Sequence, residues 1–187
     1  MLTLYEHLPE VDNASAYRSD AEMLVAMSEW LWDGEELEAA SRCRATACEL
    51  LRRTGDEGML AVELGWLGAL HRLRGALAEA ELCHVEAVEL GKRLGGSRYA
   101  ATLSKYANLL HEMENYSAAV HVRWRAICVE CMDLQDEAEF TPAALRQALQ
   151  WWPRTDVATW ALGLANFANC LLDAGDVGAS ESVVDRA

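Results

Sequence analysis

Apolar residues recur along this chain in blocks, and the blocks themselves recur. Leu64, Leu67, Gly68 and His71 follow the i, i+3, i+4, i+7 spacing of one helix face. Ala80, Cys83, His84 and Ala87 repeat that spacing after a break at Gly75. The pattern predicts a helical hairpin. Leu24, Leu64 and Leu103 align at separations of 40 and 39 residues, and three hairpins fall in register with them. Small residues stand at Ser28, Gly68 and Ala107, and larger ones at Leu31, His71 and Leu110. Leu37, Leu77 and Tyr116 open the second helices, followed by Ala40, Ala80 and Ala119, then by Ala47, Ala87 and Ala126. A fourth copy after a longer gap carries Leu164, Ala168, Leu171, Val177, Ser180 and Ala187.

The small positions matter as much as the large ones. Gly68 and Ala80 let two helix backbones approach where a leucine would hold them apart. One hairpin cannot bury its own apolar face, so stacked hairpins share a continuous core. The expected fold is all-α, a right-handed solenoid. Repeats are expected at about 21–59, 60–99, 100–135 and 157–187, with residues 1–19 as an arm that fits no repeat. Asp20 is expected to cap the first helix, Thr54-Gly55-Asp56 to close the first repeat, and Leu94-Gly95-Gly96-Ser97 the second. The last gap exceeds the period by 21 residues. Thr141-Pro142 there opens an inserted helix over about 141–152, which Pro153 ends before Asp156 caps the next helix. Glu114 and Asn115 mark the third hairpin's turn, as Gly75 marks the second's.

These residues resemble the tetratricopeptide repeat. Leu67-Gly68-Ala69-Leu70-His71, with Gly75, Glu79-Ala80 and Ala87, is similar to that family's signature, as is Tyr106-Ala107-Asn108-Leu109-Leu110 with Tyr116, Ala119 and Ala126. The period exceeds the usual 34 and resembles the kinesin-light-chain type, whose first helix carries Leu-x-Asn-Leu-Ala. Leu164-Ala165-Asn166-Phe167-Ala168 comes close to that motif; Lys105, Trp66 and Ala26 stand in place of its asparagine in the other copies. The resemblance implies a non-catalytic module that holds an extended peptide or a partner helix on the concave face lined by the first helices. It also implies that Asn166 and Asn108 hold a peptide backbone, since an amide both donates and accepts. The alternative role for Asn166 is a bond to a neighbouring helix. Trp32, Arg72, Lys105, His111 and Asn169 join these two as candidate contacts. The family's carboxylate clamp needs several basic side chains on that face, where only Lys105 and Arg72 are candidates.

Composition narrows the partner. The 187 residues carry 30 acids against 16 bases, a net charge of −14. That opposes nucleic acid, which needs clustered Lys and Arg, and an anionic membrane surface. Residues 1–60 hold 13 acids and 5 bases. This is either a surface that steers a basic partner or a solvated face that keeps the chain soluble. No basic and apolar leader opens the sequence, and its longest uncharged run, Val157 to Leu172, is too short for a membrane span. A cytoplasmic protein with reduced thiols is expected.

The remaining chemistry is sparse. Cys128 and Cys131 form a lone C-x-x-C without further metal ligands in the sequence, so structural thiols and no metal or cofactor are expected. His71 and His84 occupy packing slots. Trp30 and Trp32 cannot share a helix face, so one should be exposed or in a groove. Trp151-Trp152 ends the inserted helix and either plugs the irregular gap or forms an interface. No phosphate loop, G-x-S-x-G or H-E-x-x-H occurs. The alternatives to an interaction module are a regulatory domain cut from a larger protein, a small secretion chaperone or immunity protein, and an all-helical enzyme.

Overall fold

The computed structural model describes residues 14–132, 141, 144 and 157–184. Four helical hairpins follow one another: α1 (Ala14–Asp33) with α2 (Leu37–Thr54), α3 (Glu57–Leu73) with α4 (Leu77–Leu94), α5 (Gly96–Glu112) with α6 (Tyr116–Met132), and α7 (Val157–Asp173) with α8 (Val177–Val184). No strand occurs among the described residues. Each second helix packs on the next first helix, and the first helices α3 and α5 also touch. This is an all-α solenoid, and none of its helices is long and apolar enough to cross a membrane among the described residues.

One turn geometry closes all four hairpins. The same backbone bond recurs as Glu36 N–H to Leu31 O, Ala76 to His71 and Asn115 to Leu110 at 2.9 Å, and Asp176 to Leu171 at 2.8 Å. It requires a left-handed residue, supplied by Glu35 (φ 63°), Gly75 (φ 76°), Glu114 (φ 59°) and Gly175 (φ 87°). Glycine takes that conformation freely, whereas a residue with a Cβ loses about 1–2 kcal/mol. The repeat demands the turn strongly enough to impose it on two glutamates.

The small positions form the seams inside the hairpins. A Cβ on Gly68 would lie 2.7 Å from His84 Nε2, so the imidazole occupies space that only glycine leaves open. In the first hairpin Ser28 Oγ donates to Ala40 O at 2.9 Å, and in the fourth Ser180 Oγ donates to Ala168 O at 3.0 Å. Between the seams the core is built of successive clusters: Leu51, Leu60 and Leu64 are buried together in one, Tyr99 and Leu103 in another. Trp124 stacks on Phe167 at 6.4 Å, joining α6 to α7 across the insertion.

The element boundaries differ from the sequence expectation mainly at the start. α1 begins at Ala14, so Asp20 lies inside the helix instead of capping it, and Tyr17 packs on the first core cluster. Leu24 in turn reaches that same cluster. The apolar face therefore extends N-terminally through Tyr17, where the polar residues between them hide the period. Gly55 turns left-handed (φ 72°) and Asp56 caps α3, its carboxylate accepting the Met59 N–H at 3.0 Å. Thr141 accepts the Ala144 N–H at 3.1 Å where the inserted helix is expected to begin. The rest of that insertion, with Trp151, Trp152 and Asp156, lies outside the described residues, as do residues 1–13 and 185–187.

Candidate functional site

The face built by the first helices is organised by pairs that cross from one repeat to the next. Arg72 on α3 pairs with Glu112 on α5. His111 on α5 sits 2.7 Å from Asp173 on α7, through Nε2 and Oδ2. Arg72 and His111 share one repeat register, and Glu112 and Asp173 share another, so the two pairs are the same interaction made twice. The first repeat breaks the series, because the corresponding positions hold Trp32 and Leu73. Trp32 instead meets Trp66 edge-to-face at 5.9 Å and 76°. The Lys105 ammonium lies 4.1 Å over the Trp66 ring.

Two clefts open beside these pairs. One, of about 270 Å³, lies between α3, α5, α6 and α7, and it gathers Arg72, Asn108, His111, Asn166 and Asn169. Five candidates spread over nearly a hundred residues of sequence thus share one cleft. The other, of about 250 Å³, is lined by Trp32, Trp66, Glu29, Asp33 and Arg44. Lys105 lines neither cleft, and rests on Trp66 beside the second. Trp30 is 75% exposed on the outer side of α1 while Trp32 takes the cleft, as two helix faces require. Arg72 is not an open cation, since Glu112 engages it, and the His111 ring is engaged by Asp173.

Sequence reasoning missed two arginines that reach these clefts from beneath, Arg44 and Arg123. Arg44, His84 and Arg123 lie at the same register of α2, α4 and α6, spaced by 40 and 39, and all three are buried. The candidate contacts were sought on first helices, and His84 alone of the three is expected in a packing slot; the recurrence of a basic residue at one second-helix position was the available signal. Arg44 Nη1 donates to Glu63 Oε2 at 2.7 Å, its Nε donates to Ser28 Oγ at 3.2 Å, and Glu29 Oε1 stands 3.8 Å from Nη2. Burial pushes the Glu63 carboxyl above its ordinary range, with Arg44 pulling it back. His84 is driven down to about 4 by burial, then by Lys105 and Arg72, so it stays neutral at pH 7. Its Nδ1 has no hydrogen-bond partner among the described residues.

Arg123 is 5% exposed and lines the larger cleft. Its Nη2 donates to Asn108 Oδ1, while its Nε has no hydrogen-bond partner among the described residues. It also bonds the side chain of Cys170, another residue of the cleft wall. Burial lowers the guanidinium from its usual value, the mark of a charge short of compensation.

No three His, Cys, Asp or Glu side chains converge as a metal site among the described residues. Burial pushes the Cys48 thiol up to about 12 and those of Cys83 and Cys128 to about 11, so these three stay protonated at neutral pH. The side chain of Cys131 lies outside the described residues.

The geometry matches a known architecture. The crystal structure of BtubC (BKLC) from P. vanneervenii, a kinesin-light-chain-like repeat protein, is similar to this chain with a TM-score of 0.67 and 19% identity. The match covers 89% of this chain and 61% of that one. The fold is therefore a tetratricopeptide-like α-solenoid. The chain spans 61% of the length of that neighbour. No protein-family model and no curated protein matches the sequence.

Proposed function

We propose that this chain is a non-catalytic interaction module that holds an extended peptide segment of a protein partner along its inner face. The observation that carries the reading is the convergence of Asn108, Asn166 and Asn169 on one cleft from two helices. Amides spaced along such a wall can bond the N–H and C=O groups of a peptide backbone without regard to its sequence. The second cleft adds Glu29 and Asp33 beside Trp32 and Trp66, a pairing of acid and aromatic surface that suits a basic side chain. The partner's basic portion would therefore lie at the first repeat, where the acid surplus is largest. A cytoplasmic setting, with reduced thiols and without cofactor, belongs to the same reading.

A phage-displayed peptide library panned against the wild-type chain and against the N108A/N166A double variant tests it. Peptides enriched on wild type and lost on a variant with an unchanged melting temperature support the groove. Equal enrichment on both proteins overturns it.

A further inference from the structure

Helix α1 leaves bare a face that the later first helices bury. Met23, Met27 and Trp30 follow the i, i+4, i+7 spacing of one face of α1, and they are 57%, 47% and 75% exposed. Moved forward by one period, that register holds Glu63, Leu67 and Leu70 of α3, at 6%, 5% and 0%. In α5 it holds Thr102, Tyr106 and Leu109, and in α7 it reaches Phe167 and Cys170. At each of these junctions the preceding second helix touches the register. Arg44 of α2 donates to Glu63 at 2.7 Å, Glu81 of α4 accepts from the Tyr106 hydroxyl at 3.3 Å, and Trp124 of α6 stacks on Phe167 at 6.4 Å. The stripe on α1 is therefore the seat of a second helix in the repeat's own geometry. Two methionines and a tryptophan lined up in this way mark a contact surface.

We propose that this face docks one amphipathic helix of a protein partner, apolar along the seam and basic along its edge. The surface lies on the outer side of α1, off the inner face, and does not depend on the peptide groove. Charge selects the occupant. α1 carries four acids, Asp20, Glu22, Glu29 and Asp33, against one base, Arg18, which Glu22 and Asp56 already engage. Glu22, Glu29 and Asp33 stand at i, i+7 and i+11, a row beside the apolar stripe. A second copy of this chain would bring the same acids to the same seam, on a chain of net charge −14. A helix with Lys or Arg along its edge answers them instead, as Arg44 does when α2 carries it onto Glu63 of α3. α2 fills the equivalent seat on α3, and it holds four arginines against two glutamates. Methionine adapts to an incoming apolar face, and an exposed tryptophan supplies the anchor.

The test is fluorine NMR of the full chain labelled with fluorotryptophan, the Trp30 signal being assigned through Trp30→Phe. Three stapled helical peptides share one leucine face, and their edges carry Lys, Gln or Glu. A saturable shift of the Trp30 signal by the Lys peptide, about tenfold tighter than by the Gln peptide and absent with the Glu peptide, supports the site. Raising the salt to about 0.5 M should narrow the gap between the Lys and Gln peptides. Met27→Glu should weaken the Lys peptide about tenfold or more at an unchanged melting temperature. Met27→Gln keeps the result readable should the glutamate lower that temperature. The proposal is overturned if no peptide moves Trp30, or if the three peptides bind alike. It is also overturned if the Lys peptide moves Trp32 and Trp66 and leaves Trp30 still, in which case the inner clefts take the cation and the groove reading stands. A dimer in sedimentation that Met27→Glu dissolves would make a second copy the occupant. A Trp30 signal without the solvent isotope shift of an exposed indole, in the free monomer, would mean that residues before Ala14 cover the face. Either result overturns the proposal.

Discussion

The first and third repeats solve the same packing problem with the same residue and reach opposite ends. In the first, Arg44 is closed off by Glu63 at 2.7 Å and by Ser28, so the charge belongs to the scaffold. In the third, Arg123 meets an amide and a thiol, and its Nε has no acceptor among the described residues. The second repeat avoids the problem with His84, whose neutral ring fits the gap left by Gly68. A single register thus holds a neutralised cation, a neutral base and a cation that meets no carboxylate among the described residues. What differs is the set of neighbours that the adjacent repeat supplies. Burial alone therefore does not distinguish a structural arginine from a cleft-facing one; the presence of a counter-ion does.

The most severe way to break this comparison is to remove the two arginines in turn. Arg44→Met should cost about 3–5 kcal/mol, because it strands the buried Glu63 carboxylate. Arg123→Met should be neutral or raise stability by about 1 kcal/mol, since it removes a charge without orphaning an acid. Denaturant unfolding of both variants checks the pair, and equal destabilisation would show that Arg123 is as well satisfied as Arg44.

The middle member of the series is tested by pH. The His84 imidazole titrates at about 4 in the folded chain, below its usual 6.5. A depressed base favours the folded state in its neutral form. The stabilisation is complete above pH 6.5 and is lost as pH falls toward 4, by an amount on the order of 3 kcal/mol. Lys105 and Arg72 add to the effect in the same direction. Melting profiles of wild type and His84→Gln between pH 7 and 4 should converge at the acid end, and parallel profiles would refute the assignment.

Smaller effects sharpen the backbone side of the comparison. Gly68→Ala should cost about 1–3 kcal/mol by forcing the His84 ring to shift, whereas Ala107→Gly in the third repeat should cost about 1 kcal/mol through helix propensity alone. Thermal denaturation separates the two. Finally, the first and third repeats both place glutamate at the left-handed turn where the others have glycine. Glu35→Gly and Glu114→Gly should each stabilise by up to about 1 kcal/mol, and a loss in either would mean that the side chain has a role the turn does not explain.

Much of the fold was legible before any coordinates. The 40- and 39-residue spacings identified the hairpins, the Gly68–Ala80 seam and the Glu114 turn, because each depends on neighbours close in sequence. The start of α1 was misplaced at Asp20, since a good capping residue also occurs inside helices. Trp32 lines one cleft and Arg72, Asn108, His111, Asn166 and Asn169 the other, a grouping that first-helix periodicity makes legible, since it sets which side chains share a face. That Arg72 and His111 are already paired was not legible, because their acids lie on the following repeats.

The sequence by itself determined that the chain stacks helical hairpins, since a repeated apolar period admits no other way to bury its faces. It also determined which residues stand on the inner helices. Only the tertiary structure decided which charges remain open. A counter-ion is a matter of a few ångströms between residues that are tens of positions apart, and the repeat register carries the arginine forward without carrying its acids. The pattern placed Arg44 and Arg123 alike; the packing of the next repeat gave one of them Glu63 and left the other facing the cleft.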